Sequence, residues 1–200
     1  VTDKEDGHQF DIDNEYIMSP KDLCTIGFIN KVIDSGSSVL KIEGRGRSPE
    51  YVKTTTQCYR EAADAYLKKT YNKEKVKEWM NRLKTVYNRG FWDGYYLGQK
   101  IGEWTGIHGS KATKKKIYLG KAKKYFTKIQ VAEFDLEAQE LQKGDSILIT
   151  GRTTGVIEAV ADEIRINDSQ VKEVKKGDNF SMKINCKVQP NDKLYKVLNS

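Results

Sequence analysis

Ser-Val-Leu-Lys-Ile-Glu-Gly-Arg-Gly-Arg-Ser-Pro-Glu-Tyr (residues 38–51) runs from an apolar segment through an acid, two glycines and two arginines to a helix start. Residues 39–42 read as a strand. Ser48-Pro49-Glu50 reads as a helix opening, because Ser is a good N-cap and Pro suits the first helical position, where no N–H is needed. This spacing predicts Glu43, Arg45, Arg47 and Ser48 at the C-terminal end of a strand, beside helix amides that attract anions. The same grammar stands upstream. Residues 15–18 form a short apolar run, and Ser19-Pro20-Lys21-Asp22 repeats the opening, with Asp22 placed as in a capping box.

The first helix should carry Leu23, Ile26, Ile29 and Ile33 on one face and stop near Gly36. The second should carry Val52, Thr55, Tyr59, Ala62 and Tyr66. Strand, helix, strand, helix with short connections predicts a parallel sheet covered by helices. Two βα units cannot bury their own faces, so they read as the last portion of a larger α/β domain, strands seven and eight of a (β/α)₈ barrel. Loops after those strands commonly hold phosphate, a role that suits Arg45, Arg47 and Ser48. Salt bridges from the arginines to Glu43 or Glu50 are the competing reading.

A third helix is expected over 73–87, with Val76, Trp79, Met80, Leu83 and Val86 on one side, ended by Asn88-Arg89-Gly90. Residues 91–99 are rich in glycine and aromatics. They read as a cluster closing the first domain or as a stacking platform for bases. From residue 117 the period becomes two, with expected strands at 117–122, 129–134, 146–150, 155–160, 163–166, 180–184 and 194–197. A turn phrase recurs: Lys143-Gly144-Asp145, Lys176-Gly177-Asp178 and Pro190-Asn191-Asp192. Gly or Asn supplies positive φ and Asp closes the turn through its side chain. Short, evenly spaced strands predict a small closed β-barrel or a sandwich. The expected domains are residues 1–110 and 111–200, with the boundary inside 102–116.

The charge is +7 and the pI about 9.1, which favours polyanion contact. Lysines crowd residues 111–124; a nucleic-acid surface and a lysine-guarded edge strand both explain them. No apolar run approaches the ~20 residues of a membrane span, so no membrane is expected. Three cysteines without Cys-x-x-Cys argue for a reducing compartment and a cytoplasmic protein. Cys58 and Cys186 read as inert core thiols. Cys24, placed in the first turn of a helix, reads either as a buried thiol or as a thiolate favoured by the helix dipole. His8 and His108 stand in loop-like surroundings with no Ser/His/Asp or His-Glu-x-x-His pattern.

Residues 17–24 (Ile-Met-Ser-Pro-Lys-Asp-Leu-Cys), 40–52 (Leu-Lys-Ile-Glu-Gly-Arg-x-Arg-Ser-Pro-Glu-Tyr-Val), Tyr59-Arg60-Glu61-Ala62 and 87–94 (Tyr-Asn-Arg-Gly-Phe-x-x-Gly) resemble the collagenase-like peptidases, peptidase family U32. Residues 117–198 are similar to that family's C-terminal barrel of the translation-factor type. The resemblance implies the C-terminal part of a longer protein, with tRNA hydroxylation the most similar branch. It implies a 4Fe-4S cluster in the full-length protein with Cys24 as one of four ligands. It further implies prephenate as hydroxyl donor for a wobble uridine and tRNA as partner, together with the N-terminal half of the same barrel. From position, Arg45 and Arg47 are assigned to anion recognition and Glu43 to acid/base work or to orienting an arginine. A peptidase, and an RNA- or protein-binding module without catalysis, are the alternatives.

Overall fold

The computed structural model describes residues 2–9, 19–100 and 102–200. It divides into two compact units, Val1–Thr113 and Lys114–Ser200. The expected strand at 15–18 lies outside the described residues.

The first unit holds three helices and one short ladder. Strand β1 (Asp22–Leu23) pairs in parallel with β2 (Phe91–Trp92). A 3₁₀ turn at Ile26–Phe28 leads into α1 (Ile29–Asp34), which ends at Gly36 with φ +90°. Helix α2 (Pro49–Leu67) opens after an extended Ser48 with Pro49 in its first turn, and the Ser48 side chain makes no capping bond. Its buried positions Thr55, Cys58, Ala62 and Ala65 follow the three-and-four spacing of one helix face. They are small, so the large Trp79 of α3 (Lys73–Lys84) packs into the same core with Ile26, Ile29 and Leu83. Asn72 caps α3 by accepting the Lys75 N–H at 2.9 Å. Glu61 of α2 takes Trp79 Nε1 at 2.9 Å and both Arg82 amino groups, clamping the two helices.

Three expectations fail in this unit. Residues 39–42 form no strand; Val39 is 84% exposed. An apolar run becomes a strand only where a ladder receives its N–H and C=O groups, and the described residues offer it none. The expected parallel sheet is therefore reduced to two residue pairs. The helix that should begin at Ser19 begins seven residues later, because the Ser19, Lys21 and Asp22 backbones are drawn into bonds with Thr105, Glu103 and Gly90. Leu23 consequently sits on β1 and is half exposed rather than on a helix face.

The second unit is an eight-stranded antiparallel sheet beside a two-stranded one. Its strands are β3 (Lys114–Phe126), β4 (Val131–Leu136), β5 (Glu140–Gln142), β6 (Ser146–Gly151), β7 (Gly155–Val160), β8 (Ile164–Ile166), β9 (Ser169–Val171), β10 (Glu173–Lys175), β11 (Asn179–Lys183) and β12 (Lys193–Asn199). The large sheet runs β7-β6-β12-β3-β4-β11-β8-β9, and β5 pairs with β10. Phe134, Phe180, Leu119, Ile149 and Ile164 share one buried cluster, onto which Ile157 of β7 and Val171 of β9 also pack. The two ends of the ladder thus meet the same core, which requires the sheet to curl. Hydrogen bonding among the described residues joins no β7 to β9, so the closure of the expected barrel is absent from the ladder. Gly120 marks a close approach between β3 and β4: a Cβ there would lie 2.0 Å from the Asp135 carbonyl oxygen. Cys186, expected as an inert core thiol, instead follows β11 in a bend and is exposed.

Candidate functional site

A cleft of about 750 Å³ opens in the first unit, lined by the 35–47 loop, the start of α2, the 3₁₀ turn and residues 96–97. Its chemistry begins at Asp22. Asp22 Oδ1 accepts Arg47 Nη2 at 3.1 Å and lies 3.7 Å from Arg89 Nη2; Oδ2 accepts the Arg89 backbone N–H at 2.7 Å. One carboxylate thereby draws together three of the sequence motifs, those carrying Asp22, Arg47 and Arg89. The Arg47 guanidinium also lies over the Tyr87 ring at 4.1 Å and within 5.5 Å of the Tyr51 centroid. Of the two arginines assigned to anion recognition, Arg47 is thus held inside the wall by a carboxylate and two rings.

Arg45 stands differently. Glu43 Oε1 accepts the Arg45 backbone N–H at 2.6 Å, and the Arg47 N–H reaches the Gly44 carbonyl at 3.0 Å. This tight turn, with Gly46 at φ +69°, leaves the Arg45 side chain exposed at the cleft. Glu43 orients backbone rather than an arginine head group. Ser48 lies at the helix start, outside the cleft lining. Five cations, Lys31, Lys41, Arg45, Arg47 and Arg89, line the cleft against two carboxylates, Asp22 and Glu43. Arg89 Nε and Thr55 Oγ1 are buried without a hydrogen-bond partner among the described residues.

Cys24 lies behind this wall. It is 6% exposed, sits between β1 and the 3₁₀ turn, and packs its Sγ 3.7 Å from Met80 Sδ. Tyr59 separates it from the cleft: the Tyr59 hydroxyl accepts the Thr25 N–H at 2.9 Å and donates to Cys24 Sγ at 3.8 Å. Desolvation pushes the Cys24 thiol up, opposed in part by the Ile26 backbone N–H and the Tyr59 hydroxyl. Of the two readings the sequence leaves open for Cys24, the buried thiol is the one this geometry matches, since the short turn and six-residue helix do not outweigh burial. Burial raises Tyr59 as well, so both groups are protonated near neutrality. Among the described residues no three His, Cys, Asp or Glu side chains gather to hold a metal ion. Asp22, Tyr59 and Arg89 escape the sequence reading as site residues. Each sits inside a quoted motif, but their convergence needs the fold.

The model for Peptidase family U32 matches residues 1–106. The chain belongs to peptidase family U32. This U32 chain is 55% identical over 196 residues to a Porphyromonas gingivalis protein named Collagenase, covering 98% of this chain and 47% of that protein. It is 34% identical over 161 residues to tRNA hydroxylation protein P1 of Bacillus subtilis, covering 76% of this chain and 36% of that protein. A crystallised U32 C-terminal domain from Geobacillus thermoleovorans aligns at 15% identity with a TM-score of 0.38, over 40% of this chain and 90% of that one, and adds nothing to the assignment. The chain spans about half the length of the collagenase it matches and about a third of the tRNA hydroxylation protein. No helix among the described residues is long and apolar enough to cross a membrane.

Proposed function

We propose that the full-length protein modifies RNA, as a cytoplasmic tRNA hydroxylase acting on wobble uridine at C5. The observation that carries this reading is the cleft wall of five cations against two carboxylates. Such a wall favours an anionic substrate and raises its local concentration. Prephenate, the proposed hydroxyl donor, bears two carboxylates; Arg45 is the exposed guanidinium best placed to meet one, and Arg47 shapes the wall through Asp22. The same reading includes a 4Fe-4S cluster with Cys24 as one thiolate ligand and three supplied from outside residues 1–200. It also takes residues 1–110 as the C-terminal portion of a larger (β/α)₈-barrel domain, in keeping with relatives roughly twice as long.

The test is deletion of the full-length gene followed by mass spectrometry of tRNA nucleosides. Loss of 5-hydroxylated wobble uridine, restored by the wild-type gene and not by Arg45→Ala, is expected. Unchanged modification in the deletion strain would sink the proposal. The 55% identity to a protein named Collagenase favours a second reading, peptide hydrolysis. Collagen cleavage by purified full-length protein that survives protease inhibitors, and is lost in Arg45→Ala, would support it.

A further inference from the structure

Tyr96 is 64% exposed yet lines the cleft. Its loop is pinned at both ends by glycines in the left-handed region, Gly94 at φ +66° and Gly98 at φ +88°. A Cβ at Gly94 would lie 2.7 Å from Leu23 Cδ1, so the Leu23 side chain would have to swing aside. The Tyr96 ring is braced by the buried Phe28, centroid to centroid 6.2 Å. A large ring is therefore held at a cleft mouth with most of its surface in water. Asp22 is spent on Arg47 and Arg89, and Glu43 on its own turn. Lys31, Lys41 and Arg45 form no ion pair among the described residues.

An apolar protein partner seated on the ring would strip water from these cations without replacing it. A nucleotide satisfies both features, placing its base on the ring and its phosphate on the cations. We propose that Tyr96 stacks an unpaired nucleobase of single-stranded RNA at the cleft mouth, with the flanking phosphate held by Arg45, Lys31 and Lys41. This rests on the RNA-modifying reading and names the contact that would hold the base.

The experiment uses the 200-residue chain and fluorescein-labelled oligouridine, followed by anisotropy. A 5-iodouridine version is photo-crosslinked and mapped by mass spectrometry. Stacking on one aromatic ring predicts roughly tenfold weaker binding for Tyr96→Ala and little change for Tyr96→Trp. An abasic oligonucleotide should bind wild type as weakly as oligouridine binds Tyr96→Ala. Tyr95→Ala is the control, since Tyr95 is 62% exposed but packs edge-on against Trp92 outside the cleft lining. The crosslink should fall on Tyr96. No binding, equal binding by Tyr96→Ala, equal losses in Tyr95→Ala and Tyr96→Ala, or a crosslink confined to residues 114–200 overturns the proposal. Full-length Tyr96→Ala that still hydroxylates tRNA normally defeats the stacking contact alone. Tyr96-dependent oligouridine binding in a protein whose deletion leaves tRNA unchanged defeats the hydroxylase reading alone.

Discussion

Residue by residue, burial decides the chemistry of the three thiols. Cys58 is fully buried and its thiol is pushed up to about 11, chiefly by desolvation, while Cys24 is raised for the same first reason. Cys186 is exposed. At pH 8 Ellman's reagent should titrate one thiol quickly in the native chain and three in denaturant, and Cys186→Ser should remove the fast phase. Two fast thiols would mean that the Met80–Tyr59 wall around Cys24 opens. Asp22 makes the second residue-scale prediction. Its side chain is 16% exposed and faces two guanidinium groups and a backbone N–H. Removing it leaves those donors unpaired and two like charges adjacent, so Asp22→Ala should destabilise the first unit by about 2 kcal/mol in urea unfolding. Asp22→Asn, which still accepts hydrogen bonds, should lose less.

Among the elements, the recurring turn phrase was the most readable part of the sequence. Gly144, Gly177 and Asn191 all take positive φ, at +93°, +97° and +69°. In each turn the following Asp accepts the N–H three residues back: Asp145 from Gln142 at 2.7 Å, Asp178 from Lys175 at 2.7 Å, Asp192 from Gln189 at 2.8 Å. Turn chemistry is local, so three residues suffice to write it. The run 39–42 shows the reverse case: its apolar pattern is strand-like, but strand formation depends on a partner that local pattern does not encode. Asp22 is the same lesson at the site, since its cap-like spacing was overridden by contacts 25 and 67 residues away. Asp178→Ala should cost about 1 kcal/mol, one modest hydrogen bond. Asp192→Ala should cost about 2 to 3 kcal/mol, because Asp192 is 5% exposed and also accepts the Thr154 hydroxyl at 2.5 Å. Denaturant midpoints of the two variants read the difference. The α2–α3 clamp makes the pH prediction. Arg82 holds the Glu61 carboxyl below the usual carboxylate range. Its contribution is therefore present above the unfolded carboxylate pKa of ~4.3 and is lost as pH falls through the lower folded value. Glu61→Gln should flatten the acid limb of first-unit stability between about pH 5 and pH 3, read by Trp79 fluorescence. An unchanged limb would show that the clamp is electrostatically idle.

For the whole molecule, the two units differ in how their stability is supplied. The first holds together through a small core of cysteine, alanine and single large residues, supplemented by the Asp22 and Glu61 polar junctions. The second has sixteen buried residues in one cluster, with partly buried residues of both end strands, Ile157 and Val171, packed against it. It spans 87 residues, Lys114–Ser200, comfortably above the ~55–65 residues at which many domains fold alone. Its turns are closed by their own residues, and its ladder bonds are satisfied among its own strands. Residues 114–200 expressed alone should therefore fold and unfold in a single cooperative transition, with dispersed amide NMR shifts and a denaturant midpoint matching the corresponding transition of the 200-residue chain. Mostly nonlocal strand pairing should place its folding in the millisecond-to-second range rather than in microseconds. A collapsed amide spectrum, or a midpoint well below that of the full chain, would show that the sheet leans on residues outside itself.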